Sequence, residues 1–445
     1  MASGGTFEPF WNGNYRLIWG TNFTMYVSRW MQMTTLAWFV LDLTDSAFKV
    51  GVVGFCGMAP LLFLGIFGGL LADKLDRKKL IVATQFLTFT ASCVMSFLMV
   101  FGVVEYWYAY IAILVPGLGW ALDMPSRRSL ILDIVGTQGI TKGIALDSVG
   151  MHSSKMLGPA VAGAMIAFVG VSGAYIFLSV LIAFGCFFVL KVTQSKRPAG
   201  AEIEHNICDE CGSNIEVEDR VCGRCGAQIP VAKPLSPKDV LKDAFANLIE
   251  GIKYAFSNQV VAAIIVITIF MNLLLFPYMQ MVTVVSKDIL NVGPLLMGIL
   301  MASDGFGAFL GSVGIASRKN MQYHGRIFLY GSILSLIALL VFSVSNVYVI
   351  SLILLFVLGV GTAGFGTMQS AIVLIVSKPD IRGRALGVVT IAIGAGPIGA
   401  LIVGAMAELI GPSQAIMYNA IAGLIIVSIC GLFMPAIRGQ IKPFV

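Results

Sequence analysis

Long uncharged stretches alternate with short charged segments along the whole chain. Each uncharged stretch is longer than the roughly 20 apolar residues that cross the hydrocarbon core of a bilayer as a helix. These stretches are 50–72, 80–104, 156–190, 254–286, 327–377 and 409–437. Apolar and polar residues do not alternate with a period of two, which excludes a membrane β-barrel. The pattern predicts an all-α polytopic membrane protein.

The composition supports this fold class. The 445 residues are 58% hydrophobic and 12% charged, whereas soluble domains carry about 25% charged residues. This excludes a soluble enzyme, a disordered chain and a secreted disulfide scaffold. We predict twelve transmembrane helices in two sets of six. Their approximate limits are 16–43, 50–72, 80–103, 106–124, 143–170, 173–191, 259–286, 292–316, 327–345, 347–376, 384–410 and 413–436.

The basic residues lie almost entirely on one side of these predicted spans. Of the 29 Lys and Arg residues, only Lys49 and Lys287 fall on the opposite side, while Arg29 and Lys155 fall within spans. By the positive-inside rule, the basic side is cytoplasmic. We therefore expect a cell-membrane protein with both termini and the central loop in the cytoplasm. The net charge of +6 reports orientation and gives no evidence for a nucleic-acid partner.

Local sequence echoes indicate that the two sets of six spans are repeats. Arg77–Lys78 recurs as Arg318–Lys319, and Gly158–Pro159 recurs as Gly396–Pro397. We predict two pseudo-symmetric six-helix bundles, at 1–192 and 259–445. Paired halves with a site between them are the arrangement of an alternating-access transporter.

Two motifs resemble those of a known family. The segment 69–79, GLLADKLDRKK, resembles the signature of the major facilitator superfamily, and 123–130, with the glycine-proline pair in span 5, resembles the branch of siderophore and macrolide exporters. The resemblance implies a transporter and not an enzyme, with no catalytic residue. Span 4, predicted at 106–124, contains no arginine, although many proton-coupled relatives carry one there. The gating residues that the motifs indicate are Asp73, Arg77, Lys78, Asp123, Arg127, Gly158 and Pro159.

Three charged residues fall near the middle of predicted spans. Arg29 costs about 2.5–3.5 kcal/mol in a bilayer centre, so it either anchors an anionic substrate or caps carbonyl groups locally. Lys155 in span 5 and Asp304 in span 8 lie at similar depths. The family fold implies that these two spans pack across the interface between the halves. We therefore predict a Lys155–Asp304 ion pair, which is either a transport switch or a permanent structural bridge.

The central segment contains two Cys-x2-Cys pairs. Cys208, Cys211, Cys222 and Cys225 supply four thiolates with the spacing of a small zinc ribbon, at about 206–228. The alternative is a redox-active dithiol pair. A reducing cytoplasm favours zinc binding over disulfide formation. We predict a structural Zn²⁺ within a cytoplasmic linker, 193–235. Acidic residues outnumber basic ones there, which disfavours nucleic acid and leaves a spacer, a regulatory module or a protein docking site.

An amphipathic helix at 236–258 is predicted to lie on the membrane surface. The function that the sequence favours is export of a drug-like, macrolide or siderophore-class small molecule by alternating access with proton antiport. Two alternatives stay open. The protein is an uptake or metal-ion transporter regulated by zinc, or it is a transport-inactive receptor that docks a partner through the ribbon.

Overall fold

The structure is a computed structural model. It describes residues 7–74, 76–193, 225, 249–318, 322–378 and 381–441. Within these ranges, it describes the side chains of all residues except 65–74 and 137–138. Every regular element in these ranges is helical. The first half contains α1 (Gly13–Thr44), α2 (Ala47–Lys74), α3 (Arg77–Val100) and α4 (Tyr108–Lys191). We call these four helices the N-half.

The second half, which we call the C-half, contains eight further α-helices. They are α5 (Gln259–Phe270), α6 (Tyr278–Asp288), α7 (Pro294–Ala316), α8 (His324–Ser343), α9 (Tyr348–Val376), α10 (Arg382–Ile393), α11 (Gly396–Ile410) and α12 (Pro412–Phe433). A π-helical turn, Met271–Leu275, lies between α5 and α6. A helical segment over 249–257 precedes α5 and packs on α10, with an ion pair between Glu250 and Arg384.

Helix α4 is divided by two glycines. Gly136 and Gly170 have φ angles of 70° and 76°, a left-handed region that glycine adopts at little cost because it has no Cβ. We call the resulting segments α4a (108–135), α4b (137–169) and α4c (171–191). Among the described residues, nine helical stretches are long and apolar enough to cross a membrane.

The helix that contains span 4 continues beyond the predicted span limit of 124. Segment α4a continues as helix to residue 135, and α4b begins at once at 137. The charged residues Asp123, Arg127 and Arg128 mimic the end of a span in the sequence. Two of them, Asp123 and Arg127, are instead 2% and 3% exposed, inside the bundle, because they are paired there with each other and with polar neighbours.

The helices run alternately between two ends of the bundle. We call the end with Gly13, Thr193 and Ile441 the terminal face, and the opposite end the far face. The halves meet where α4 packs on α7, where α2 packs on α11, and where α6 packs on α1 and α2. The α4–α7 and α2–α11 seams position the candidate site.

Candidate functional site

The seam between α4b and α7 brings two helix backbones into direct contact. A Cβ on Gly298 would lie 2.5 Å from the Pro159 carbonyl oxygen, and one on Gly163 would lie 2.4 Å from the Pro294 carbonyl oxygen. No larger side chain fits at either position without moving the helices apart. Small residues at such crossings are what allows membrane helices to pack closely.

An ion pair lies in the middle of this seam. Lys155 Nζ of the N-half is 2.8 Å from Asp304 Oδ2 of the C-half, and the side chains are 14% and 2% exposed. The predicted contact is therefore present. The same two residues and Tyr278 line a small cavity between the halves. The pair neutralises two charges that are costly in a low-dielectric interior, and it connects the halves directly.

The glycine-proline motif shapes the surroundings of Lys155. A Cβ on Gly158 would lie 2.4 Å from Trp30 Cβ, so α1 packs tightly on this side of α4b. Pro159 has no N–H, so it cannot form the helical hydrogen bond to the Lys155 carbonyl. Gly305 of α7 packs against that carbonyl, and its Cβ would lie 2.8 Å from the Lys155 carbonyl carbon. The motif thus allows α4b to pack closely against α1 on one side and against α7 on the other.

At the far face, two charged residues of the C-half contact the corner between α1 and α2. Lys287 Nζ lies 2.7 Å from Asp45 Oδ1, where α1 ends. Glu408 Oε2 accepts hydrogen bonds from Ser46 Oγ at 3.0 Å and from the Phe48 N–H at 3.2 Å, where α2 begins. A cation at a helix C-terminus and an anion at a helix N-terminus both complement the helix dipole. We call Asp45, Ser46, Lys287 and Glu408 the far-face clamp.

The α2–α11 seam is close from the far face to mid-depth. A Cβ on Gly51 would lie 2.6 Å from the Ala400 carbonyl oxygen, and one on Gly394, near mid-depth, would lie 2.6 Å from Leu62 Cδ1. Towards the terminal face, α10 packs mainly on α5 and α9 of its own half. Along α7, the last buried residue is Ala308, and the helix continues from there towards the terminal face. The described contacts between halves therefore run from mid-depth to the far face.

Arg29 of α1 lies at a cavity inside the N-half. Its Nη2 donates to the Gly57 carbonyl at 2.9 Å, and its guanidinium carbon lies 4.9 Å from the centre of the Trp120 ring. Gln32 and Asp123 also line this small cavity. Arg29 thus has a local carbonyl partner and also faces a cavity.

Asp123 and Arg127 form a buried ion pair on α4a. Arg127 Nη2 lies 2.7 Å from Asp123 Oδ2, and Thr84 Oγ1 of α3 donates to the same oxygen at 2.9 Å. Arg127 Nη1 donates to Asn22 Oδ1 of α1 at 2.9 Å. Arg127 lies three residues beyond the predicted end of span 4, at 124. The pair holds α1, α3 and α4a together.

The same network continues to Asp147 on α4b. Asn22 Nδ2 donates to Asp147 Oδ1 at 2.8 Å, and the Tyr26 hydroxyl donates to Asp147 Oδ2 at 2.9 Å. Asn22 thus connects Arg127 to Asp147 through the two ends of its amide. Tyr26, Trp120, Arg127, Arg128 and Asp147 line a second cavity beside this network.

In the motif between α2 and α3, the described side-chain contacts of Arg77 and Lys78 are all with the N-half. Arg77 Nη1 lies 2.7 Å from Asp133 Oδ2 of α4a. Lys78 Nζ donates to the Leu190 and Val192 carbonyls at the end of α4c, where a cation complements the helix dipole. The side chain of Asp73 lies outside the described residues. Arg77 and Lys78 therefore tie α3 to α4 at the terminal face.

Three of the four predicted zinc ligands, Cys208, Cys211 and Cys222, lie outside the described residues, and Cys225 is described as exposed, in a turn. Within the part of the chain that the structure describes, no cluster of three or more His, Cys, Asp or Glu residues could hold a metal ion. The zinc ribbon stays a prediction.

Sequence reasoning missed the far-face clamp and the role of Asn22. A helix-capping contact from another half has no local sequence pattern, and Asn22 is an ordinary polar residue within an apolar span. One signal for the clamp was available. Lys287 is one of two bases on the side that otherwise lacks them.

Comparison with protein families gives the identity of the fold. A family model described as "Transmembrane secretion effector", of the major facilitator type, matches residues 4–210 and 229–440. The chain belongs to this family. It is accordingly a multi-pass membrane transporter and not an enzyme. The match omits 211–228, which contains three of the four ribbon cysteines.

Curated relatives include efflux proteins. The chain is 26% identical over 155 residues to a staphyloferrin A transporter of Staphylococcus aureus, a match that covers 34% of the chain and 38% of that relative. It is 21% identical over 409 residues, 90% of each chain, to the multidrug efflux pump Tap of Mycolicibacterium fortuitum. It is 23% identical to macrolide efflux protein A of Streptococcus pyogenes, over 34% of the chain and 38% of that protein.

Solved structures share the fold at low sequence identity. A mutant of the peptide transporter POT superposes with a TM-score of 0.70 at 12% identity, covering 96% of this chain and 95% of that one. The nucleoside transporter NupG superposes with a TM-score of 0.67 at 15% identity, covering 95% and 99%. Such similarity establishes the transporter fold and says nothing of substrate.

Proposed function

We propose that this protein exports a small molecule across the cell membrane by alternating access, driven by proton antiport. The observation that carries the proposal is the buried Lys155–Asp304 pair, because it joins two separate halves where a transporter of this fold must open and close. A named efflux pump matches 90% of the chain, which supports export of a drug-like, macrolide or siderophore-class compound.

The division of α4 supports twelve crossings. Gly136 and Gly170 separate three segments, and each is long enough to span about 30 Å of hydrocarbon. Spans 7 and 11 then consist of α5 with α6 and of α10 with α11, each pair continuous except for a short break. With the basic loops at the terminal face, the positive-inside rule places that face in the cytoplasm.

The pattern of contacts between halves supports a cytoplasm-facing state. The far-face clamp and the closest glycine contacts join the halves at the external end. The buried residues of α7 end at Ala308, which leaves the cytoplasmic part of this helix away from the tight seam. Export then requires the clamp and the Lys155–Asp304 pair to separate while the cytoplasmic ends close, as alternating access by rocking of two halves demands.

Arg29 is the residue that we propose to contact substrate. It faces a cavity in the N-half, and the aromatic face of Trp120 lies beside it. A guanidinium next to an aromatic ring suits a planar anionic or acceptor-rich group.

The central loop carries an inserted zinc site in this proposal. Four thiolates form a donor set that suits tetrahedral Zn²⁺, and the family model leaves 211–228 unmatched, as an insertion would. The site has a structural role, and its surface is available to a protein partner.

Transport in proteoliposomes tests the proposal. Ethidium, erythromycin and a carboxylate siderophore are loaded separately, and flux is followed with and without an imposed pH gradient. We expect at least one compound to move against its concentration gradient, and a protonophore to abolish that movement. The proposal is contradicted if the flux of every compound is independent of the pH gradient, or if no compound is transported.

A further inference from the structure

We propose that Asp147 is the proton-binding carboxylate of this transporter. This inference rests on the proposed proton antiport and names the residue that carries the proton. It separates the proton site, inside the N-half, from the Lys155–Asp304 pair between the halves.

The first observation is the kind of partner that Asp147 has. Its two carboxylate oxygens accept hydrogen bonds from an amide and a phenol, those of Asn22 and Tyr26. The ion pairs of the described residues do not include Asp147, whereas Asp123 is paired with Arg127 and Asp304 with Lys155. Hydrogen bonds from neutral donors are weaker than those from a cation, and neutralising the Asp147 carboxylate breaks none of the ion pairs of the described residues.

The second observation is the charge of the group. Asp123, Arg127 and Asp147 are joined through Asn22, and together they carry two negative charges and one positive charge. A proton on Asp147 leaves the Asp123–Arg127 pair intact. The charged and titratable groups that face Asp147 are Tyr15 and Tyr26 of α1 and Arg127 and Arg128 of α4a.

The third observation is access. Asp147 lies about ten residues from the start of α4b, hence about 15 Å from the terminal face at 1.5 Å per residue. It lines a small cavity together with Arg128 and Met151. Water in such a cavity can take the proton when the cytoplasmic side is open.

The proposed step moves one proton and no electrons. On the external-facing side, an Asp147 carboxylate oxygen forms an O–H bond with a proton from hydronium, which is left as water. After the halves rock, that O–H bond breaks and the proton passes to water in the cytoplasmic cavity. Because Asn22 contacts both Asp147 and Arg127, the protonation state changes the hydrogen bonds that hold α1 against α4a and α4b.

Infrared difference spectroscopy tests the assignment without a substrate. Purified protein is compared at low and high pH, and the C=O stretch of protonated carboxyl groups is recorded. We expect Asp147→Asn to remove a band that Asp304→Asn retains. The exposed far-face residue Asp288 provides the matched control, Asp288→Asn. A spectrum of Asp147→Asn that keeps every buried carboxyl band overturns the inference.

A second variant guards against misfolding of the first. Tyr26→Phe removes one donor to the ionised carboxylate and keeps the ring, so the band of protonated Asp147 should persist to higher pH. An unchanged titration overturns the assignment.

Proteoliposome flux separates this inference from the proposed function. The pH gradient should stimulate flux at least tenfold less in Asp147→Asn than in wild type, whereas Asp288→Asn should keep the full stimulation. If wild-type flux ignores the gradient, the proposed antiport fails, whereas a variant that stays fully gradient-driven overturns only the Asp147 assignment.

Discussion

The carboxylate of Glu408 in the C-half accepts a hydrogen bond from the backbone N–H of Phe48 at the start of α2 in the N-half. One half of the protein therefore caps a helix of the other. A cap of this kind forms only while the far face is closed, so its free energy favours one transport state over the other.

Removal of this cap should shift the conformational equilibrium. Loss of a helix cap costs about 0.5–2 kcal/mol, so Glu408→Ala should raise the ratio of far-face-open to far-face-closed protein by up to about thirtyfold at 1.36 kcal/mol per tenfold. Spin labels across the far face, measured by pulsed electron resonance, report this ratio. Glu105→Ala, at an exposed far-face residue, is the matched control. Equal distance distributions in Glu408→Ala and wild type contradict the role of the cap.

The Lys155–Asp304 pair should govern stability as well as gating. Removal of one partner leaves a buried charge uncompensated, which costs about 3–5 kcal/mol. We expect Lys155→Met and Asp304→Asn each to lower the thermal midpoint in detergent. The exchange Lys155→Asp with Asp304→Lys should recover a large part of that loss. A double variant no more stable than either single variant contradicts the pairing.

Close contact at the α4b–α7 seam predicts the effect of adding volume. Gly298→Val places atoms where the Pro159 carbonyl lies, so the far face should close poorly and transport should fall at least tenfold. Gly314→Val is the control on the same helix, because a Cβ there has no described heavy atom within 4 Å. Both variants are compared by ethidium flux at matched protein density. Equal loss in both would show that the seam is not the cause.

The zinc prediction is tested by metal content. Purified protein should contain one zinc ion per chain, and Cys222→Ser should lose most of it, because a tetrahedral site needs all four thiolates. Cys186→Ser, in α4c, is the matched control and should keep its zinc. If Cys222→Ser contains as much zinc as wild type, the predicted zinc site is wrong.

Part of the fold was predictable because bilayer thickness constrains the sequence. The uncharged stretches predict membrane helices, and counting residues along them predicts that Lys155 and Asp304 share a depth. The length of the helix that contains span 4 was not predictable in this way. Arg127 and Asp123 look like residues of a loop, and only the contacts with Thr84 and Asn22 show how their charges are accommodated in the bundle.

The far-face clamp was unpredictable for a different reason. Glu408 and Phe48 are far apart in the chain, and the contact depends on how the two halves are oriented. Glu408 alone predicts only an interfacial acid. The position of Gly404 beside Gly51 brings this acid to the end of α2, and no local pattern records that approach.

Cross-linking of the far face tests alternating access most directly. Asp45→Cys with Lys287→Cys joins the halves through disulfide bonds when treated with a bifunctional methanethiosulfonate, because the native side chains are in contact. Lys49→Cys with Tyr106→Cys is the matched control, since these residues also touch but belong to one half. We expect the cross-link between halves to abolish pH-driven flux and a reductant to restore it, while the control pair transports normally. Undiminished flux through protein with a fully cross-linked Asp45→Cys and Lys287→Cys pair would contradict the account.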